Sequence, residues 1–155
     1  MLEVWEMYND GLMSKSCSCG GNMTIHMHTL IYSAKVKITN VPVYTCQECS
    51  RYEPIPLIKR DLANLINGFG EPAARYKYSF SEVNEWARVL KETFAGFAAG
   101  NLTDLENAIV SAIQSRIDVL LDIYKFAADC SDHKWMEETA LRLSQLTLPS
   151  HENAK

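Results

Sequence analysis

Four cysteines in two tight pairs are the residues best placed to do chemistry: Cys17 and Cys19, then Cys46 and Cys49. Zinc favours a tetrahedron of soft ligands, and four thiolates supply one. The first pair is Cys-x-Cys and runs into Gly20-Gly21; the second is Cys-x-x-Cys. Glycines beside a pair permit the backbone conformations that a metal-binding knuckle needs. Twenty-six residues separate Cys19 from Cys46, enough for two strands and a turn that bring the knuckles together. With four cysteine ligands no coordination position stays open, so the site reads as structural rather than catalytic. Zinc is the expected ion, although ligand identity alone does not separate it from iron.

Two other readings of these residues carry less weight. A redox dithiol at Cys46 and Cys49 normally accompanies a βαβ pattern, and it leaves Cys17 and Cys19 unexplained. His26 and His28 are alternative ligands. They alternate with apolar residues, which favours solvent exposure or aromatic packing.

The elements that must position the thiols follow from periodicity. Met23, Ile25 and Met27 alternate with Thr24, His26 and His28, the pattern of a half-buried strand over residues 23–31. Val36, Ile38, Val41, Val43 and Tyr44 mark a second strand, with Thr39-Asn40 as a turn or bulge. Pro42 requires an edge or a bulge. Residues 1–14 are ambiguous between strand and helix, although Trp5, Met7, Tyr8 and Met13 call for packing. Leu57, Ile58, Leu62, Leu65 and Ile66 predict a short helix over 57–68. Gly68-Phe69-Gly70-Glu71-Pro72 reads as a linker, with Tyr76 and Tyr78 in the loop after it.

Three amphipathic helices are expected beyond. Ser79 and Glu82 are spaced as a capping box, before a stripe of Val83, Trp86, Ala87, Leu90, Phe94 and Phe97. Thr103 and Glu106 form a second such pair. Leu105, Ile109, Ile113, Ile117, Leu120, Tyr124 and Ala127 then share one face to about Asp129. Ser131 or Asp132 caps the last helix, whose apolar positions are Trp135, Met136, Ala140, Leu143 and Leu146. The tail after Pro149 frays. The expected fold class is α+β: a zinc-ribbon β module with a short following helix over 1–67, then a three-helix bundle over 73–148.

Composition narrows the function. The chain has 155 residues and a 47% apolar fraction, which suits a folded protein. No apolar run is long enough for a membrane span, and the N-terminus does not read as a signal peptide. Five cysteines leave one over in any paired framework, so a reducing compartment, the cytoplasm, is expected. The net charge of -4 is uneven: residues 1–60 sit near +1 and residues 61–155 near -5. Phosphate contacts supply most nucleic-acid affinity, so the acidic half argues against that role. Lys15, Lys35, Lys37, Arg51, Lys59 and Arg60 leave a small basic surface on the ribbon.

The segment Cys17–Leu65 resembles the YgiT-type, or MqsA-type, zinc finger of small bacterial proteins. The residues that carry the resemblance are Cys19-Gly20-Gly21, then Ile38-Thr39-Asn40-Val41-Pro42-Val43-Tyr44-Thr45-Cys46-Gln47-Glu48-Cys49 and the helix-prone stretch after them. It covers about a third of the chain. It implies zinc on the four cysteines and, in antitoxin members, dimerisation and a separate DNA-binding helix-turn-helix. Two departures stand out: Cys-x-Cys replaces Cys-x-x-Cys in the first pair, and Ser50 stands where the family often has glycine. The second half does not read as the antitoxins' DNA-binding domain.

Other candidates have plainer readings. Asp118 and Asp122 fall on one helical face, as a cation pair could, but a solvated acidic surface explains them as well. Cys130 lacks a partnering His-Asp arrangement and reads as a passive thiol. Trp86, Phe94, Phe97 and Tyr124 read as core; Trp5, Trp135, Tyr76 and Tyr78 are candidates for an interface. The sequence therefore points to a non-enzymatic adaptor or regulator acting through protein contacts, with a partner or with its own copy as a homodimer. A DNA-associated regulator or antitoxin-like protein is the alternative.

Overall fold

The computed structural model describes residues 13–72, 74–97 and 100–146. The expectations for Trp5 and its neighbours, and for the tail after Pro149, lie outside the described residues. The fold is α+β, with a five-stranded sheet followed by helices. The strands are β1 (Ser14–Ser16), β2 (Asn22–Tyr32), β3 (Val36–Cys46), β4 (Tyr52–Pro54) and β5 (Tyr76–Ser79). The helices are α1 (Lys59–Phe69), α2 (Glu85–Gly96), α3 (Leu102–Asp129) and α4 (His133–Leu146).

A long antiparallel hairpin of β2 and β3 forms the frame of the sheet. Met23, Ile25, Val36, Ile38, Val41 and Val43 are buried, as their alternation predicts, and a bulge near His28 shifts the register. β3 is an interior strand, paired with β2 on one edge and with β4 and β5 on the other. Pro42 is still accommodated. β5 pairs with residues 36–39 and β4 with 43–45, so Pro42 falls in the gap between their ladders. A missing N–H there breaks neither ladder.

The region read as linker and loop is ordered into the sheet instead. Phe69 ends α1 and packs its ring against Tyr32, Tyr76 and Tyr78, with centroids 6.0, 5.6 and 6.0 Å away. The Tyr32 hydroxyl donates to the Gly70 carbonyl at 2.9 Å, and Lys35 Nζ donates to that of Pro72 at 3.2 Å. Tyr76 and Tyr78 form β5, parallel to β3, with Tyr78 opposite Ile38. Packing of these rings edge-on and tilted against Phe69 overrides the flexibility that two glycines suggest.

The three later helices form as expected, but two start elsewhere. Residues 80–82 make a 3-10 turn, and Asn84 caps α2 by accepting from the Ala87 N–H at 2.9 Å. Val83 therefore lies outside the helix and is 37% exposed. For α3 the capping box is Asn101 with Asp104, two residues before the expected pair. Asp132 caps α4 through the Trp135 N–H. Thr139 is buried on α4, whereas Ala140 is exposed. The Thr139 hydroxyl donates to the Trp135 carbonyl, and this lets a polar side chain sit inside. Helix α2 touches β3 as well as α3 and α4, and one continuous core runs from Met23 and Ile38 through Trp86 to Ile113 and Leu120.

Candidate metal centre

The turn between β1 and β2 carries Cys17 and Cys19; Cys46 ends β3, and Cys49 lies in the turn that leads to β4. The strands set both turns at the same end of the sheet. In the first knuckle the Cys17 N–H donates to Gly21 O at 2.9 Å, and the Gly20 N–H donates to Cys17 O at 3.0 Å. Gly20 has φ +94, a conformation that side chains resist. The Gly21 N–H points at Cys19 Sγ, 3.4 Å away. In the second knuckle the Ser50 N–H donates to Cys46 O at 3.1 Å, and the Cys46 N–H to Arg51 O at 2.9 Å. Ser50 has φ +61, which explains why glycine suits this position.

The four sulphurs lie within 4.8 Å of one another. Cys17 Sγ is 3.6 Å from Cys49 Sγ, and Cys19 Sγ is 3.5 Å from Cys46 Sγ. Zn–S bonds of about 2.3 Å in a tetrahedron space their sulphurs about 3.8 Å apart. The cluster is thus geometrically compatible with a tetrahedral ion. Cys17 and Cys46 are buried, while Cys19 and Cys49 are exposed. Gly21 permits the close approach: a Cβ there would lie 2.7 Å from Glu48 Cγ and 2.9 Å from Cys46 Sγ.

Crowding sets the thiols apart in acidity. The Cys19 backbone N–H stabilises the Cys17 thiolate and, against burial and aided by the other sulphurs, lowers it to about 7. The Gly21 N–H favours the Cys19 thiolate, but Cys46, Cys17 and Cys49 together hold that thiol up at about 12. Four adjacent thiolates repel one another, and a divalent cation removes that repulsion while displacing the protons.

Charged neighbours line the centre. Arg51 Nη1 donates to Ser18 Oγ at 2.6 Å, tying the second knuckle to the first. Lys15 pairs with Glu53, and this hydrogen bond holds the Glu53 carboxyl below its usual range. A cleft of about 470 Å³ lies beside the centre, lined by Lys15, Ser16, Cys17, Ser18, Met23, Arg51 and Glu53.

Neither histidine joins the cluster. His26 Nε2 lies 3.0 Å from Thr24 Oγ1, and His28 stacks on Tyr52 with centroids 5.0 Å apart. Asp118 and Asp122 are exposed, and Asp118 accepts from Gln114. Among the described residues the four cysteines are the one group of three or more His, Cys, Asp or Glu close enough to share an ion. Cys130 is exposed at the end of α3.

The sequence reading missed a polar cluster that joins the helices. Glu85 is buried at the start of α2, where Arg116 Nε donates to one carboxylate oxygen at 2.6 Å and Arg142 Nε to the other at 2.8 Å. The Glu85 N–H donates to Gln145 Oε1, while Gln145 Nε2 donates to Val83 O. Burial opposes the charge on Glu85, but the two guanidinium groups outweigh it and hold the carboxyl below its usual range. No local spacing announces a cluster whose members lie on three different helices.

No protein-family model, curated protein or solved structure matches the chain. Among the described residues no helix is long and apolar enough to cross a membrane.

Proposed function

We propose that the protein is a zinc-stabilised, non-enzymatic adaptor or regulator that acts through protein contacts in a reducing compartment such as the cytoplasm. The observation that carries this reading is the four-thiol cluster. Zinc held by Cys17, Cys19, Cys46 and Cys49 is coordinatively closed, so its work is to hold the sheet together rather than to activate water. The YgiT-type resemblance of Cys17–Leu65 agrees with zinc in this role.

Contact with a partner draws support from the helices. Val119, Leu121, Phe126 and Leu141 are large apolar side chains between 47% and 64% exposed. Exposed Phe126, whose ring meets that of half-buried Trp135 edge-on at 5.8 Å, offers an aromatic anchor of the kind enriched at protein interfaces. Purification from native lysate at low and high salt tests the proposal. A protein partner that stays bound at high salt supports it, and recovery of the chain alone under both conditions counts against it.

A DNA-associated regulator is the second reading, and one observation favours it. Lys37 and Lys77 lie side by side on β3 and β5, next to exposed Ile31 on β2. Against this, Lys15 is paired with Glu53, and nine residues of strand, about 30 Å, separate Lys37 from the metal knuckle. The ribbon cations are thus split between its two ends. Co-purifying DNA that is lost at high salt would favour this second reading.

A further inference from the structure

Within the cluster, sulphur contacts of 3.6 Å (Cys17 to Cys49) and 3.5 Å (Cys19 to Cys46) cross from one knuckle to the other. Each sets an exposed sulphur against a buried one. We propose that a peroxide converts the zinc-loaded centre into two disulfides, Cys17–Cys49 and Cys19–Cys46, releasing the ion while keeping the knuckles joined. The release step rests on the zinc reading above; the choice of disulfide partners rests on the sulphur geometry alone.

The chemistry divides between the two kinds of sulphur. In the zinc-loaded centre, where the ion keeps the sulphurs deprotonated, an exposed thiolate, Cys19 or Cys49, attacks the O–O bond of hydrogen peroxide. Its sulphur becomes a sulfenic acid, and the departing hydroxide takes a proton to become water. The buried partner, Cys46 or Cys17, then attacks the sulfenic sulphur. The S–S bond forms, and hydroxide leaves and is protonated to a second water. Over the whole centre, four thiolates, two peroxides and four protons give two disulfides, four waters and one free zinc ion. The sulphurs supply all the electrons.

Geometry favours the crossed partners. Cys17 and Cys46 are fixed in the core with Met23 and Ile25, so each waits beside the exposed sulphur of the opposite turn. Crossed disulfides staple the β1–β2 turn to the β3–β4 turn, as the metal does. Disulfides within each knuckle would leave the two turns unjoined. Oxidation thereby leaves a metal-free but folded sheet, whereas removing metal under reducing conditions leaves the sheet without its staple.

The test uses full-length protein carrying Cys130→Ser, so that the fifth thiol takes no part. Reduced samples, zinc-loaded and chelator-stripped, are treated with hydrogen peroxide. Zinc release is followed with a chromophoric chelator, and partners are mapped by mass spectrometry with cleavage between Cys17 and Cys19 and between Cys46 and Cys49. The expected result is about one zinc released per two peroxides consumed, crossed linkages in both samples and retained strand circular dichroism. Either other pairing, Cys17–Cys19 with Cys46–Cys49 or Cys17–Cys46 with Cys19–Cys49, would overturn the proposal. So would four intact thiols and retained zinc at a peroxide concentration that oxidises Cys130 of the parent chain. Absence of zinc before oxidation defeats the metal reading alone, because the linkages in the stripped sample still decide the partners.

Discussion

A single methyl group at position 21 would reach into the metal centre. Its carbon would stand 2.9 Å from Cys46 Sγ and 2.7 Å from Glu48 Cγ, closer than such atoms approach. Gly21→Ala is expected to weaken zinc binding about 10-fold or more, as judged from supporting-shell changes at other metal sites. Competition with a chromophoric chelator measures this, and unchanged affinity would show that the knuckles have room. Ser50 presents the opposite case, a side chain where glycine fits better. Its φ of +61 favours Ser50→Gly, with a gain of about 1 kcal/mol. A urea titration reads the sign, and a loss would give the Ser50 side chain a role of its own. The thiols were legible from spacing because a metal knuckle sets its two thiolates a few residues apart, which leaves a local Cys-x-Cys or Cys-x-x-Cys signature. The Arg51–Ser18 tie was not, because an arginine reaching another turn leaves no local pattern.

Among the elements, Glu85 ties three helices together. It receives Arg116 from α3 and Arg142 from α4, whose side chains keep 24% and 36% exposure. Removing a buried partner strands the charges it compensates, so Glu85→Ala is expected to cost about 3 kcal/mol, the lower end for such pairs because the arginines reach water. Glu85→Gln should cost less, since it keeps the shape and part of the hydrogen bonding. Thermal melts of both variants rank the effects, and equal melting with the parent would remove the cluster from the account. The same group sets a pH dependence. Its folded carboxyl lies below the ordinary range, so its stabilisation is complete above the unfolded value of about 4.3 and fades as pH falls through the folded value. The melting temperature of the parent should therefore drop more steeply below about pH 4.3 than that of Glu85→Gln. Parallel slopes would contradict this.

Strands β2 and β3 and helices α2, α3 and α4 were legible because each repeats its period over ten or more residues. Strand β5 was not. Four residues, Tyr76–Ser79, give too little alternation to mark a strand, and its pairing with β3 is set by distant residues. The helix starts differed for a related reason. Asparagine caps as well as serine or threonine, so Asn84 and Asn101 took positions that a search for Ser/Thr-x-x-Glu passes over.

Across the whole molecule the four-thiol cluster lies at one end of a core that continues into the helices. Val36 and Ile38 of the hairpin, Phe80 of the turn and Trp86 of α2 belong to the same cluster. Stripping the metal under reducing conditions is therefore expected to lower the melting temperature of the helical circular dichroism signal as well as that of the strands. An unchanged helical melt in chelator would mean that the helices stand without the sheet. The most direct test of the central claim is metal analysis of reduced, natively purified protein, set beside Cys46→Ser and Cys49→Ser. One zinc per chain is expected in the parent, and its loss in both variants. A folded, reduced parent chain with no bound zinc would contradict that claim.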